Sequence, residues 1–152
     1  KALGEILKFS LIHRDMNTKT LDIHRLVQSV IRRSLDQENR NQWIERLVRA
    51  MNRVLPDVMK FENWPQCDRL LPQAKHGALL ILTNNFQLQE GARLLNHTAS
   101  FLHERARYAE AEPLSQRALA IREQALGPKH PHTQIVRRNY AKLVRKMEDG
   151  KA

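Results

Sequence analysis

Apolar residues along the chain recur mostly at helical spacing, and the pattern is clearest from residue 94 to 122. There Leu95, Ala99 and Leu102 are followed, across Ala106-Arg107, by Tyr108, Ala111, Leu114, Ala118 and Ile121. This predicts two antiparallel helices joined by a short turn. Ala99, Ala111 and Ala118 are small enough to let two helix backbones approach closely. Leu126-Gly127-Pro128-Lys129-His130-Pro131 then stops the second helix with Gly followed by Pro. A third apolar helix is expected from about Thr133. In it Asn139-Tyr140-Ala141 stands where His97-Thr98-Ala99 stood, and Leu143-Val144 repeats Phe101-Leu102. The chain thus holds one complete helical repeat and the first half of another.

Upstream the pattern changes period. Leu3, Ile6, Leu7 and Phe9 predict a short helical face, and Ser10-Leu11-Ile12-His13-Arg14 reads as extended. After a turn over Asp15 to Lys19, Thr20-Leu21-Asp22-Ile23 returns as the second strand of a hairpin. Leu26, Val27, Val30, Ile31 and Leu35 then share one face of an amphipathic helix. Trp43, Ile44, Leu47, Val48, Met51, Val54 and Leu55 predict another, ending at Pro56. A looser stretch contains Phe61, Trp64, Pro65 and Cys67. A further helix is expected from Arg69 or Pro72 to Thr83, with Ala74, Ala78, Leu79 and Leu82 inward, before Asn84-Asn85 breaks it. Trp43 and Trp64 are expected in the core. The predicted fold is mainly α, with three segments: 1–37, a helical connector over 38–90, and the repeats over 91–152.

Composition narrows the chemistry. With 41% hydrophobic and 28% charged residues in 152, the chain is an ordinary globular one. Its longest apolar run, Ala78 to Leu82, falls far short of the ~20 residues that span a bilayer, so no membrane segment and a cytoplasmic setting are expected. Cys67 is alone and is expected as a buried, inert thiol. The net charge of +10 points to an acidic partner, and residues 127–152 carry Lys129, Arg137, Arg138, Lys142, Arg145, Lys146 and Lys151 against only Glu148 and Asp149. His13, His24, His76, His97, His103, His130 and His132 show no metal-ligand spacing. Neither a phosphate-cradling glycine loop nor a nucleophile elbow is present. The expectation is a non-enzyme that binds neither metal nor cofactor by itself.

The run Tyr108-Ala109-Glu110-Ala111-Glu112-Pro113-Leu114, with Arg117-Ala118-Leu119-Ala120-Ile121-Arg122-Glu123, Leu126-Gly127-Pro128 and His130-Pro131, resembles the tetratricopeptide repeat in its kinesin-light-chain-like form. The resemblance covers residues 91 to 146 and implies an α-α superhelix whose concave face binds proteins or peptides. Ser115 stands where the family usually has an aromatic residue, and Ala106 where it often has Gly. Carried over from the family, the groove positions are Asn96, Ser100, His103 and Glu104, then Arg138, Lys142, Arg145 and Lys146. Asn96 and Asn139 remain of an Asn motif that clamps ligand backbone amides. A basic groove of this kind implies an acidic peptide ligand. The half repeat is expected to leave Val136, Tyr140, Leu143 and Val144 uncovered and to promote self-association.

The segment Ile23-His24-Arg25-Leu26-Val27-Gln28 resembles the end of the winged-helix domain in NB-ARC/STAND signalling ATPases, over roughly residues 1 to 35. Helix, hairpin, helix is the closing part of such a domain. The resemblance implies that His24 contacts ADP, although Arg25 replaces the family's Asp. It further implies that ATP or ADP binds to an NB-ARC domain upstream of Lys1, the chain being a piece of a longer protein. The structural alternative for His24 is a cap on the helix it begins. Three functions stand side by side: a protein-interaction module at the sensor end of such a switch, a nucleic-acid binder using Arg25, Arg32 and Arg33 of the winged-helix remnant, and, last, an enzyme.

Overall fold

The computed structural model describes residues 12–17, 20–84 and 86–150. The helix expected around Leu3 to Phe9 and the start of the first strand lie outside them. The backbone forms two compact units, residues 1–40 and 41–152.

In the first unit, strands β1 (Ile12–Asp15) and β2 (Thr20–Ile23) pair antiparallel with Ile12 opposite Ile23 and Asp15 opposite Thr20. The Asp15 carboxylate accepts the Asn17 N–H at 2.8 Å, which fixes the start of the turn. Helix α1 (Arg25–Ser34) follows at once, and the Gln28 side-chain amide ties it to the β2 end by donating to the Ile23 carbonyl at 2.7 Å. Its apolar face does not pack as its pattern suggests: Leu26 is 70% and Val30 66% exposed.

Helix α2 (Gln37–Val54) starts where Asp36 accepts the Asn39 backbone N–H at 2.8 Å. That bond holds the Asp36 carboxyl below its ordinary pKa. In the second unit α2 buries Ile44, Val48 and Met51. Trp43 and Val54 are exceptions to the expected apolar face: both are exposed, and Trp43, at 55%, carries the Arg46 guanidinium 5.0 Å above its ring.

A 3-10 turn over Phe61–Asn63 leads directly into α3 (Trp64–Thr83). The helix begins several residues before Arg69, because Pro65 occupies its first turn, where a missing N–H costs nothing. Pro72 lies inside it instead. Trp64 is half-buried, donates its indole N–H to the Val58 carbonyl at 3.2 Å, and meets Phe101 edge-on at 6.1 Å. Cys67, Leu71, Ala74, Ala78 and Ile81 form the buried stripe of α3. Leu79 points away from that stripe and is 53% exposed, contrary to its expected inward position. At Gly77 α3 runs so close to α4 that a Cβ would lie 3.1 Å from the Leu94 side chain.

Helices α4 (Gln89–Glu104) and α5 (Tyr108–Leu126) pack against each other, with Ala99, Ala111 and Ala118 all buried. Between them Ala106 adopts φ 56°, while Arg107 N–H reaches the Leu102 carbonyl at 2.8 Å and Ala106 N–H that of His103 at 2.9 Å. This is a Schellman stop built on Ala where Gly is the usual residue. The Glu110 carboxylate on α5 takes Lys75 of α3 at 2.5 Å and Arg107 at 2.7 Å, and those partners hold its pKa down at about 2. Gly127, at φ 83°, ends α5.

Helix α6 (Pro131–Asp149) opens two residues before Thr133, with Pro131 in its first turn and His130 Nδ1 accepting the His132 N–H at 3.2 Å. Arg137 pairs with Glu123 of α5 at 2.6 Å. Val136 and Leu143 are buried, and Tyr140 and Val144 half-buried, so the uncovered apolar face expected of this helix is largely closed. The reason is that α6 lays these residues on the preceding pair.

Two substitutions test this packing. Ala111→Leu should overpack the α4–α5 contact and lower stability by about 1–3 kcal/mol in urea unfolding. Ala106→Gly should raise it by about 0.5–1 kcal/mol, because relief of left-handed strain exceeds the added chain entropy. Unchanged midpoints for both would contradict the arrangement.

Candidate functional site

The side chains expected to bind ligand come from α4 and α6, which lie next to each other in front of α5. The Asn139 side-chain amide donates to the Asn96 side-chain oxygen at 3.3 Å, joining the two helices midway. A concavity opens on either side of this bridge. One, of about 120 Å³, includes Ser100, His103, Glu104, Ser115, Asn139 and Lys142 in its lining. The other, of about 440 Å³, includes Arg93, Asn96, His97, Arg122, His132 and Ile135. Together they make a groove along α4 and α6.

The structure therefore brings together Asn96, Ser100, His103, Asn139 and Lys142 of the sequence-predicted set. Arg138 and Arg145 line neither concavity. On α6 each is turned roughly 100° or more from Asn139, which follows from about 100° of rotation per residue, and both are exposed. Lys146 is exposed and likewise absent from the lining. Asn96 and Asn139 are paired with each other, and each amide keeps unused donor and acceptor capacity.

The smaller concavity exists because Ser115, buried on α5, fills less space than an aromatic ring would. Met59, from the loop between α2 and the 3-10 turn, reaches the same concavity. His103 points Nδ1 at Glu104 Oε1, 3.3 Å away, and its ring tilts against Tyr108 at 5.4 Å. In the larger concavity His97 is pushed below its ordinary pKa by burial and by the charge of Arg93. Burial also pulls the Arg122 guanidinium down, Glu90 opposing and Arg93 adding to the effect.

Arg93 and Arg122 were not singled out in the sequence. Arg122 follows the buried Ile121 on a helix whose pattern reads as packing, and the one available signal was its position at the edge of that buried stripe. Cys67 is buried, and burial raises its thiol pKa. His24 caps α1: its Nδ1 accepts the Leu26 N–H at 3.3 Å. Among the described residues no three His, Cys, Asp or Glu side chains are grouped to hold a metal, and no helix is long and apolar enough to cross a membrane.

Comparison with known proteins agrees with this architecture. Residues 92–151 match the family model described as tetratricopeptide repeat, and residues 1–40 match that of a domain of unknown function, DUF7779. The chain is 31% identical over 139 residues to a nucleotide-binding leucine-rich repeat (NLR)-like protein of Hyaloscypha variabilis. That alignment covers 88% of this chain but only 13% of the relative. No solved structure matches. The fold is thus mainly α, with antiparallel helices of the tetratricopeptide type at its C-terminal end.

The void beside Ser115 gives a prediction. Ser115→Met should fill it and stabilise by about 1–2 kcal/mol at ~0.8 kcal/mol per buried methylene. A lowered thermal midpoint would show that the space is not available to a side chain.

Proposed function

We propose that this chain is a non-catalytic protein-interaction module whose groove between α4 and α6 binds an extended peptide or protein segment. The observation that carries this is the Asn96–Asn139 amide bridge at the centre of two concavities. An amide that both donates and accepts can exchange its partner for a ligand backbone without losing a hydrogen bond. Ser100, His103 and Lys142 flank the bridge, and Arg138 and Arg145 add cationic charge beyond the groove edge. The ligand is acidic on this view. The tetratricopeptide match and the identity to an NLR-like protein support the interaction role.

The same proposal places the module at the sensor end of an NB-ARC/STAND-type switch of the cytoplasm. Segment 1–37 would be the closing part of a winged helix, 38–90 a connector and 91–152 the kinesin-light-chain-like repeats. The geometry of His24 supports its part in this: Nδ1 accepts from Leu26, which leaves Nε2 of the exposed residue as the donor for a nucleotide bound elsewhere in the longer protein. Ligand in the groove would then bias the closed and open states of that protein.

The test is fluorescence anisotropy with a labelled glutamate decamer and with a DNA duplex, each over a range of salt. Lys142→Glu should weaken decamer binding about tenfold, and Arg25→Glu with Arg33→Glu should leave it unchanged. Equal losses from both variants would indicate diffuse charge attraction. Tight duplex binding with a steep log–log salt slope would favour the nucleic-acid alternative.

A further inference from the structure

Arg93 of α4 and Arg122 of α5 line the larger concavity of the groove together, and the same two line an adjoining hollow with Glu90. Four other arginines of the chain have carboxylate partners: Arg49 has Glu45, Arg105 has Asp68, Arg107 has Glu110 and Arg137 has Glu123. Among the described residues neither Arg93 nor Arg122 has a side-chain ion pair or hydrogen bond. Glu90, the carboxylate that acts on Arg122, lies 3.9 Å from Arg49 instead. Arg122 is half-buried, and its Nε has no acceptor. Keeping a guanidinium N–H out of water without an acceptor is unfavourable, and a second guanidinium facing the same space adds repulsion.

Both costs vanish if an anion enters. Around that space stand the Asn96 amide, whose donors are not used in the Asn139 bridge, and His132 of α6. His97, held below its ordinary pKa, stays neutral at pH 7 and adds no charge. The arrangement is a concavity with more N–H donors than acceptors and two guanidinium groups, whose lining holds no carboxylate, Glu90 lying in the adjoining hollow.

We infer that this end of the groove is an oxyanion site, at which a carboxylate or phosphate carried by the peptide ligand is held between Arg93 and Arg122. Guanidinium groups suit it because they meet two oxygens of either anion at once. The inference rests on the groove being the ligand site, and it moves the charged anchor from the outer flank of α6 to the floor and opposite wall. The ligand then has a direction: its acidic group lies at the Arg93 end and its backbone passes the amide bridge toward Ser100 and Lys142.

The experiment follows the backbone amide and arginine Nε–H resonances of the ¹⁵N-labelled chain during titration with three probes: inorganic phosphate, a glutamate decamer, and a serine decamer with one phosphoserine. Saturating shifts at Arg93 and Arg122, with peptide-induced shifts at Ser100 and Asn139, are expected. The tighter of the two peptides identifies the oxyanion as carboxylate or phosphate. Arg122→Gln should weaken that peptide about tenfold while Arg138→Gln changes it less than about twofold. Should Arg122→Gln prove unfolded by circular dichroism, Arg93→Gln supplies the same comparison. Shifts at Ser100 and Asn139 without any at Arg93 and Arg122 would overturn the oxyanion site and leave the groove standing. Shifts at the two arginines from phosphate, with no peptide moving Ser100 or Asn139, would establish the anion site and overturn the groove. Equal shifts at Arg93, Arg122, Arg138 and Arg145, or none at all, would overturn the site.

Discussion

Three alanines set the distance between α4 and α5, and most of the second unit follows from that distance. Ala99, Ala111 and Ala118 are buried with so little side chain that the two helices close on one another, and the larger Leu94, Leu95, Phe101, Leu102 and Ile121 are left to pack against the flanking helices. Were the pair further apart, α6 could not rest on it and bury Val136 and Leu143. Gly77 extends the same constraint to α3, where the absence of a Cβ lets the backbone approach Leu94. Close packing at small residues thus replaces, between helices, what a thick layer of large side chains would otherwise supply.

A second cluster joins the connector to this stack. Trp64 lies between Phe61 and Phe101, and the Arg105 guanidinium sits 4.7 Å from its ring centre while pairing with Asp68. Arg105 is the last residue before Ala106 with its positive φ, so the cluster grips the chain beside the α4–α5 turn. The Trp64 indole N–H, donated to the Val58 carbonyl, also holds the loop that carries Met59 to the smaller concavity. Connector and repeat consequently share one core, which is why the compact unit begins at residue 41 and not at the first repeat helix.

The repeat helices were legible in the sequence because period, small residues and stop signals agreed there. The α4–α5 turn fell at Ala106-Arg107 and the α5 stop at Gly127 for local reasons that a sequence displays directly. Less legible was the start of α3, expected at Arg69 or Pro72, because Pro65 read as part of a loop, whereas the helix begins at Trp64 with Pro65 in its first turn. Trp43 and Leu79 were misplaced because apolar character does not say which side of a helix finds a neighbour. Of the groove positions carried over from the family, those on α4, with Asn139 and Lys142 of α6, line the two concavities. The place of Arg122 in the lining was not legible, since it depends on which residues of the second helix show through between two first helices. The placement of Arg138 and Arg145 failed for a related reason: a run of cations at spacings of three and four gives a face, but not where that face begins.

The amide bridge between Asn96 and Asn139 also acts as a gauge. At 3.3 Å it lies slightly beyond the usual range for an N–H···O bond, where a little further separation forfeits it. On the proposed function, a ligand backbone inserted there would not share the line of the bridge, and α4 and α6 would spread to admit it. Occupancy would thereby be converted into a change of spacing between α4 and α6. In a longer array each such increment would add to the next, and a chemical event at single side chains would be read out as a displacement at the far end.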